Sequence, residues 1–258
     1  MEDTYITGSS GFLGSHLATK LGRYTAIPHS QISSANVSKF DKFFFLSAYG
    51  NLIHQINDRA TIQANIADLI MVLNSIDLSH KFKSFVYIST SSVRLKRQTM
   101  YSRTKKAAEE ILLAYMEKYN LPICIIRPYS ITGVGEQKEH LIPKLIDSCM
   151  NGIRMDFTPK AVHDFVDVDD VVEGILNLSA HGARGIFELG TGVGHSNEEV
   201  LKIVEKVVGK PVNVDVVEKL RDYDNTEWVS NNYRARMYGW LPKKSLEQSV
   251  KEMYEAAK

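Results

Sequence analysis

Three side chains with the spacing of an acid–base site lie in the middle of the chain. Tyr101 and Lys105 are four residues apart, so a helix would place them on one face. Thr90 stands at the end of a predicted apolar strand, residues 85–88. A nearby ammonium group favours the phenolate, so Tyr101 could take or give the proton of an alcohol whose oxygen Thr90 holds. A lone pair of this spacing is also common on helix surfaces, and a lone Ser/Thr run is common in turns.

The elements that would position these groups begin at the N-terminus with a glycine-rich turn. An apolar strand, residues 4–7, runs into Gly8, Gly11 and Gly14 and then into a helical pattern. The first glycine permits a tight turn, the second lets the backbone approach a pyrophosphate, and the third lets helix and strand pack closely. Free N–H groups at the helix start would face the anion. The alternative is a structural turn without a ligand. The predicted dinucleotide contacts here are Gly8, Ser10, Gly11, Phe12, Leu13 and Gly14.

The end of the second predicted strand, residues 24–28, is where a dinucleotide fold distinguishes NAD from NADP. His29 and Ser30 stand there, and no carboxylate follows the strand in sequence. Arg23 and the neighbouring hydroxyls could accept a 2′-phosphate, or the segment could be only a polar loop. We therefore expect His29 and Ser30 to line the cofactor site and leave the choice between NAD and NADP open.

The connection that follows is too short for the usual topology. Only a short polar segment separates Pro28 from the next apolar strand, residues 43–46. A crossover with a further strand needs a dozen or more residues. We predict that one strand–helix unit of the sheet is absent or vestigial. The strand ends in Leu46, Ser47 and Ala48, where small residues suit a backbone passing close to a ligand.

The alternation of strands and helices predicts an α/β fold: a Rossmann-like, doubly wound parallel sheet with a smaller C-terminal substrate-binding region. We expect a dinucleotide-binding domain over residues 1–128 and the substrate-binding region over residues 129–258, with some of its elements returning to the main sheet. A long helix is predicted over residues 58–76, in which Asn65 is either solvated or bridges buried groups. Its predicted core stripe is Ile62, Ile66, Leu69, Ile70 and Leu73. Further predicted helices are 101–119, 141–150, 169–178, 196–208 and 245–257, and further strands are 122–126, 163–168 and 186–189.

Composition argues against several classes of partner. The 258 residues include 31 Lys and Arg against 30 Asp and Glu, a net charge of +1 that gives no support for nucleic acid or an anionic membrane. Cys124 and Cys149 lie in apolar contexts without metal-site spacing, so we expect buried free thiols in a reducing compartment. No segment has the pattern of a membrane span or a signal peptide. We therefore expect a soluble cytoplasmic protein without a metal.

Together these motifs resemble the extended short-chain dehydrogenase/reductase family, the NAD-dependent epimerase/dehydratase group that acts on nucleotide sugars. The resemblance implies tightly bound NAD or NADP, a nucleotide-sugar substrate and a homodimer built through the two long helices. It assigns catalysis to Thr90, Tyr101 and Lys105, and it adds Tyr101, Lys105 and Pro128 to the cofactor contacts. The segments that carry it are residues 8–14, 45–48, 65, 88–93, 101–105, 127–130, 163–171, 187–192 and 240–242. The substrate contacts that it implies are Ser91, Ser92, Tyr129, Ser130, His163 and Arg236.

Several positions depart from the family pattern. Ser91 and Ser92 stand where the family's dehydratases have an Asp-Glu pair, so loss of water is not expected. His163 replaces an arginine that grips the substrate diphosphate, and a neutral histidine is a weaker anion clamp. Arg234 and Arg236 could supply the lost positive charge, or both arginines could simply be solvated. Two asparagines of the family pattern are replaced by Ser130 and Glu188.

Two activities use the same three catalytic groups. An epimerase would oxidise a sugar carbinol transiently with bound NAD and return the hydride to the other face; this is our expectation. A 4-ketoreductase of a nucleotide-linked deoxysugar would instead use NADPH once and release its product. A third hypothesis, a dinucleotide sensor or scaffold without turnover, ranks below both because Tyr101 and Lys105 are present.

Overall fold

The computed structural model of the protein describes residues 2–34, 37–52, 54–218 and 227–258. Its strands are β1 (Thr4–Thr7), β2 (Thr25–Ile27), β3 (Lys42–Phe45), β4 (Ser84–Ile88), β5 (Ile123–Pro128), β6 (Ser130–Thr132), β7 (Met155–Phe157), β8 (Val162–His163), β9 (Phe165–Asp167), β10 (Gly185–Leu189), β11 (His195–Ser196), β12 (Val214–Val216) and β13 (Glu227–Trp228). Its α-helices are α1 (Phe12–Leu21), α2 (Asp58–Ile62), α3 (Asp68–Ser75), α4 (Met100–Tyr119), α5 (Leu141–Asn151), α6 (Val168–Ala180), α7 (Asn197–Val208), α8 (Tyr233–Met237) and α9 (Leu246–Ala256). A π turn (Gln63–Ala67) joins α2 to α3, and 3-10 helices span His29–Ser34 and Ser91–Arg94.

The described residues form a central sheet of six parallel strands in the order β10-β5-β4-β3-β1-β2. Its central strands are buried on both faces, which explains why residues 43–46 and 85–88 are continuous apolar runs. Successive side chains alternate between two cores: Phe43 and Phe45 pack with α3 and α4, whereas Phe44 packs with α1 and α6. The predicted α/β class and parallel sheet are confirmed.

The short connection after β2 has the predicted consequence. Only the 3-10 helix is described between β2 and β3, and β2 lies at the sheet edge beside β1. Three buried apolar residues of this connection, Ile32, Val37 and Phe40, join the core against α3. The described sheet thus lacks the strand and helix that would ordinarily lie beyond β2, and a few apolar side chains cover that part of the core instead.

The helical segment of residues 58–75 is present, but its predicted core stripe is wrong in part. Ile62 is 45% exposed and Ile70 is 36% exposed, whereas the polar residues Thr61, Asn65 and Asp68 are buried. The π turn adds a residue to the helical path and changes which side chains face inward. The polar residues are buried because each finds a hydrogen-bonding or ionic partner, so counting apolar residues alone selects the wrong face.

The C-terminal half divides between the main sheet and a separate apolar cluster. Strand β10 extends the main sheet beside β5, and α6 packs on the same face as α1. Helices α5, α7 and α9 enclose a third core with β7 and β9. The capping boxes expected at Ser196 and Ser245 are present at the starts of α7 and α9. The strand expected at residues 163–168 is instead two strands, β8 and β9, separated at Asp164.

Two smaller observations complete the fold. Cys124 and Cys149 are both buried and unpaired by disulfides, as expected. Across the described part of the chain, no helix has the length and apolar character needed to cross a membrane.

Candidate active site

The glycine-rich turn brings backbone close against backbone. Gly8 has a φ of +72°, and a Cβ there would stand 2.9 Å from the Leu46 carbonyl carbon and the Ser47 nitrogen. A Cβ on Gly14 would stand 1.9 Å from the Gly8 carbonyl oxygen. Both positions therefore exclude a side chain, and the first turn of α1 lies directly against the ends of β1 and β3.

The start of α1 is open towards this edge of the sheet. Its N-cap residue is Gly11, so no side chain caps the N–H groups of the first turn. The Gly11 nitrogen donates to the Gly8 carbonyl at 3.1 Å, which fixes the turn. Ser10 is exposed, while Phe12 and Leu13 are partly buried beside it. Uncapped N–H groups at the positive end of a helix dipole have the geometry and charge to bind a pyrophosphate.

The end of β3 is tied to β1 beside this turn. The Thr7 hydroxyl accepts hydrogen bonds from the backbone nitrogens of Leu46 at 3.1 Å and Ser47 at 3.2 Å. Ala48 follows as an exposed residue. The predicted contacts from β3 therefore lie next to the predicted contacts from the glycine-rich turn, at the carboxyl edge where ligands bind in open α/β sheets.

Thr90 and Tyr101 are brought together at the same edge. Thr90 follows β4 in an extended conformation and caps the 3-10 helix, with its Oγ1 3.2 Å from the Ser92 nitrogen and 3.0 Å from the Ser92 Oγ. The Thr90 side chain lies near enough to the Tyr101 phenol to favour its charged form. Burial raises the pKa of Tyr101 to about 12, although Thr90 acts in the opposite direction. The phenol is therefore protonated at neutral pH in this arrangement.

Lys105 lies one turn further along α4 and is completely buried. Its Nζ donates to the Ile88 carbonyl at 2.5 Å and lies 4.1 Å from the centre of the Tyr87 ring. Burial lowers the pKa of Lys105 to about 7, and the charge of Glu109 partly opposes that effect. An amine with this pKa changes its charge in the pH range where most enzymes work.

Sequence reasoning missed a buried ionic cluster next to this lysine. Glu109 accepts two hydrogen bonds from Arg127, at 2.9 and 2.5 Å, and one from Ser89 at 2.5 Å. The spacing Tyr101–Lys105–Glu109, each four residues apart on one helix, was the available signal. Pro128 follows Arg127 at the buried end of β5.

Asn65 bridges buried groups rather than facing solvent. Its side-chain amide donates to the Tyr49 carbonyl at 3.0 Å and to the Thr104 hydroxyl at 2.9 Å, and it accepts from the Tyr49 nitrogen at 3.1 Å. It thus ties the segment after β3 to the residue before Lys105. The π turn, which contains Asn65, is a local feature often found at functional sites.

A carboxylate lies beside the end of β2, although none follows that strand in sequence. The Asp68 carboxylate, from the start of α3, stands 2.7 Å from the His29 Nδ1. Asp68 is nearly fully buried, while His29 and Ser30 are exposed. A ligand reaching this edge would therefore meet the imidazole before the carboxylate behind it.

The predicted substrate side is lined by a charged cluster. Arg94 Nη1 donates to Glu188 at 2.8 Å and to the Tyr129 hydroxyl at 3.0 Å, and that hydroxyl donates to Glu188 at 3.0 Å. Burial raises the pKa of Tyr129 well above its usual value. Tyr129 is buried, and in the 3-10 helix that contains Arg94, Ser91 is buried and Ser92 is partly buried. Arg94 and Glu188 were not among the predicted site residues.

The remaining predicted substrate contacts are Ser130, His163 and Arg236. His163 is buried, with its ring 5.9 Å from that of Phe165 and 5.8 Å from that of Trp228. Ser130 is partly buried, and its nitrogen donates to the carbonyl of Asp164, the residue that follows His163. Arg236 is an exposed residue of α8. Its role as a substrate contact stays a prediction.

The Asp164 carboxylate organises the loops around this region. It accepts hydrogen bonds from the Thr191 nitrogen at 2.7 Å and hydroxyl at 2.6 Å, and from the Gly192 nitrogen at 2.9 Å. It also accepts from the Ser230 nitrogen at 3.1 Å and hydroxyl at 2.6 Å. One buried residue thereby joins β8, the loop after β10 and the segment before α8.

Known proteins resemble this chain over nearly its whole length. CDP-abequose synthase of Salmonella typhimurium is 25% identical, over 98% of each chain. The structure of UDP-N-acetylglucosamine 4-epimerase from Methanobrevibacter ruminantium, in complex with UDP-N-acetylmuramic acid, superposes with a TM-score of 0.89 at 17% identity, covering 99% of this chain and 98% of that one. The structure of RMD from Pseudomonas aeruginosa, complexed with NADPH, gives a TM-score of 0.84 at 18% identity over the same shares. These two structural likenesses establish a shared fold.

The family assignment comes from the sequence itself. The profile of the NAD dependent epimerase/dehydratase family matches residues 35–190, which is more than half of the chain. That segment contains Thr90, Tyr101 and Lys105. The chain therefore belongs to the NAD dependent epimerase/dehydratase family, whose members modify nucleotide sugars.

Proposed function

We propose that the protein is an NAD(P)-dependent epimerase of a nucleotide-linked sugar. The observation that carries this proposal is the placement of Thr90, at the end of β4, beside the phenol of Tyr101 at the start of α4, at the carboxyl edge of the sheet. Lys105 lies one helical turn from Tyr101, and the glycine-rich turn lies at the same edge. We further propose that residues 129–258 provide the substrate side.

The residues at this edge fit a dinucleotide. The absence of side chains at Gly8 and Gly11, together with the uncapped start of α1, leaves backbone N–H groups for two phosphates. Leu46, Ser47 and Ala48 would lie along the nucleotide, and His29 and Ser30 would approach the adenosine end. Pro128, Tyr101 and Lys105 would lie near the nicotinamide. When bound, the nicotinamide supplies hydride transfer at the sugar carbon.

The chain's own residues manage the proton and the alcohol. Thr90 holds the reacting oxygen, because its hydroxyl can donate to that oxygen while Tyr101 remains within reach. The phenolate of Tyr101 takes the alcohol proton during oxidation of the carbinol, and the hydroxyl so formed returns it when the ketone is reduced. The ammonium form of Lys105 favours the phenolate, which a buried tyrosine alone would not form at neutral pH.

A reductase of a nucleotide-linked 4-keto sugar is the second candidate. It is favoured by the similarity to RMD, whose structure was determined with NADPH, and by the imidazole of His29 standing in front of Asp68. The same three residues would serve it, with Tyr101 acting only as a proton donor. Ser91 and Ser92 stand where a dehydratase would need carboxylates, so water loss is not proposed.

Replacement of Tyr101 by phenylalanine tests the catalytic assignment. We expect Tyr101→Phe to lose at least about a hundredfold in turnover of a nucleotide sugar, because a general acid–base group contributes that much or more. Dinucleotide affinity, measured by calorimetry, should stay close to that of the parent protein. A Tyr101→Phe variant that keeps the turnover of the parent protein would refute the proposal. If neither protein turns over a nucleotide sugar but both bind dinucleotide, a sensor or scaffold would be favoured instead.

Native mass spectrometry of the purified protein separates the two activities. Retained NAD would support epimerisation, since an epimerase regenerates its cofactor in each cycle. An empty site with preference for NADPH would support reduction.

We also propose a homodimer that uses the exposed apolar side chains of the long helices. Ile62, Ile70 and Met71 on α2 and α3 are 36–45% exposed, and Met100 at the start of α4 is 41% exposed. Isolated apolar side chains are common on surfaces, but a group on two adjacent helices fits an interface between copies of the chain.

A further inference from the structure

One face of α4 carries a titratable residue at three successive turns: Tyr101, Lys105 and Glu109. The proposed reaction uses the first two. Glu109 is 1% exposed, and no step of that reaction requires it. A carboxylate is rarely buried to this extent unless charged and polar groups compensate it, so its position calls for a physical reason.

The compensation is provided by β4 and β5. Arg127 donates from Nε and Nη2 to the two carboxylate oxygens, and the Ser89 hydroxyl donates to Oε1. Paired donors of this kind hold a carboxylate in a single orientation. The Glu109 side chain is thus fixed in position as well as buried, and its charge acts from a defined place.

Among the described residues, the groups that interact with the Lys105 amine come from β4 and α4. From β4, Lys105 receives the Ile88 carbonyl oxygen at 2.5 Å and the face of the Tyr87 ring at 4.1 Å. From α4 it is neighboured by the neutral phenol of Tyr101 and by Glu109. From β5, the Arg127 guanidinium forms an ion pair with the Glu109 carboxylate.

We propose that Glu109 is a positioning residue that keeps the buried amine of Lys105 in its charged form. This inference rests on the proposed function for its catalytic meaning, because Lys105 acts on Tyr101 only while it carries a charge. Arg127 and Ser89 orient the Glu109 carboxylate, and the carboxylate offsets the unfavourable burial of the ammonium group. Arg127 and Ser89 therefore act on the reaction from outside the site, through two other side chains.

A purely structural role predicts something different. If Glu109 served only to pair with Arg127, then glutamine, which has nearly the same shape and one carbonyl oxygen, would disturb the fold without changing how Lys105 titrates. If the charge of Glu109 acts on Lys105, the same change alters the titration even in a well-folded protein. The two roles therefore separate in a measurement on Lys105 itself.

The experiment is a pH titration by NMR of cofactor-free protein with ¹³C-labelled lysine side chains. The Lys105 signal is assigned by its absence from Lys105→Met. In the parent protein we expect Lys105 to titrate near pH 7. In Glu109→Gln we expect its midpoint to fall by about one pH unit, a tenfold change in the acid dissociation constant. Glu110→Gln, which removes a charge from the next, exposed residue, is the matched control and should leave the midpoint unchanged.

Two further variants keep the test decisive. Glu109→Asp retains the charge and should restore most of the parent titration. If Glu109→Gln does not fold, the double change Glu109→Gln with Arg127→Gln leaves no unpaired buried charge and should still lower the midpoint. A midpoint that is the same in the parent and in the glutamine variants would overturn the proposal.

The titration needs neither substrate nor turnover, so its outcome is independent of the proposed activity. A lowered midpoint in a protein without turnover would retain this inference while refuting the epimerase. Where turnover is found, the pH profile of kcat should shift in the same direction in Glu109→Gln but not in Glu110→Gln.

Discussion

Replacing Lys105 by methionine tests whether the buried amine lowers the stability of the fold. Burial lowers the pKa of Lys105 to about 7. The pKa of lysine in an unfolded chain is about 10.4, as in model peptides. Between these two values the unfolded chain binds one more proton than the native state. The free energy of unfolding therefore rises with pH across this window, by about 1.4 kcal/mol per pH unit. Below about pH 7 the amine is charged in both states, and this slope disappears.

The magnitude follows from the same two values. At pH 7.5 the preference of the native state for a neutral amine costs about 4 kcal/mol relative to a side chain that does not titrate. The bond to the Ile88 carbonyl and the contact with the Tyr87 ring offset part of this cost, and methionine makes neither. We therefore expect Lys105→Met to be more stable than the parent protein by about 2 kcal/mol at pH 7.5, while turnover is lost.

The measurement is urea unfolding followed by circular dichroism at about pH 6, 7.5, 9 and 10, values that span the window between the two pKa values. The advantage of Lys105→Met should shrink steadily above pH 7 and vanish or reverse near pH 10. Lys106→Met, which changes the neighbouring exposed lysine, is the control and should follow the parent protein at every pH. Parallel curves for all three proteins would refute the reasoning, because they would mean that Lys105 titrates normally in the fold.

Four other substitutions test three separate parts of the structure. Gly14→Ala should lose about 3 kcal/mol or fail to fold, because its Cβ would stand 1.9 Å from the Gly8 carbonyl oxygen, whereas Gly11→Ala, with its nearest contact at 3.4 Å, should fold and weaken dinucleotide binding in calorimetry. Asp164→Asn should lose about 2–4 kcal/mol in urea unfolding, because a buried carboxylate that accepts several backbone and hydroxyl hydrogen bonds becomes an amide with one acceptor. Ile62→Glu should yield a monomer in light scattering if the long helices form the dimer interface.

Each of these results has a clear opposite. A Gly14→Ala protein with parent stability would mean that α1 can move away from β1 without loss. A neutral Asp164→Asn would mean that the loops around that residue are held by other contacts. A parent protein that is itself monomeric would remove the proposed dimer, and an unchanged dimer in Ile62→Glu would require another interface.

The main sheet could be predicted from the sequence because its strands are continuous apolar runs between helical patterns. The missing unit could also be predicted, since a chain of fixed reach cannot form a crossover in the space between Pro28 and β3. The short strands after residue 129 were mostly missed, because β11 and β13 contain two residues each and have no periodicity to detect.

The candidate site was predictable where its residues follow one another along a strand or a helix. Thr90, Tyr101 and Lys105 belong to this class, since their spacing alone brings them to one edge of a sheet. The pairs His29–Asp68 and Glu109–Arg127 do not, because they join residues on different elements. Their partners became visible only when the packing of those elements was known.

The π turn at residues 63–67 has a consequence for comparison with other chains. A π turn is one residue longer than the helical turn that it replaces, so deletion of that residue would rotate everything beyond it by about 100° about the helix axis. Leu69 and Leu73 would then turn away from the core, and Asn65 would lose its reach to Thr104. Homologues that lack this extra residue must therefore be aligned with a gap inside the helix, at a place where gaps are ordinarily forbidden.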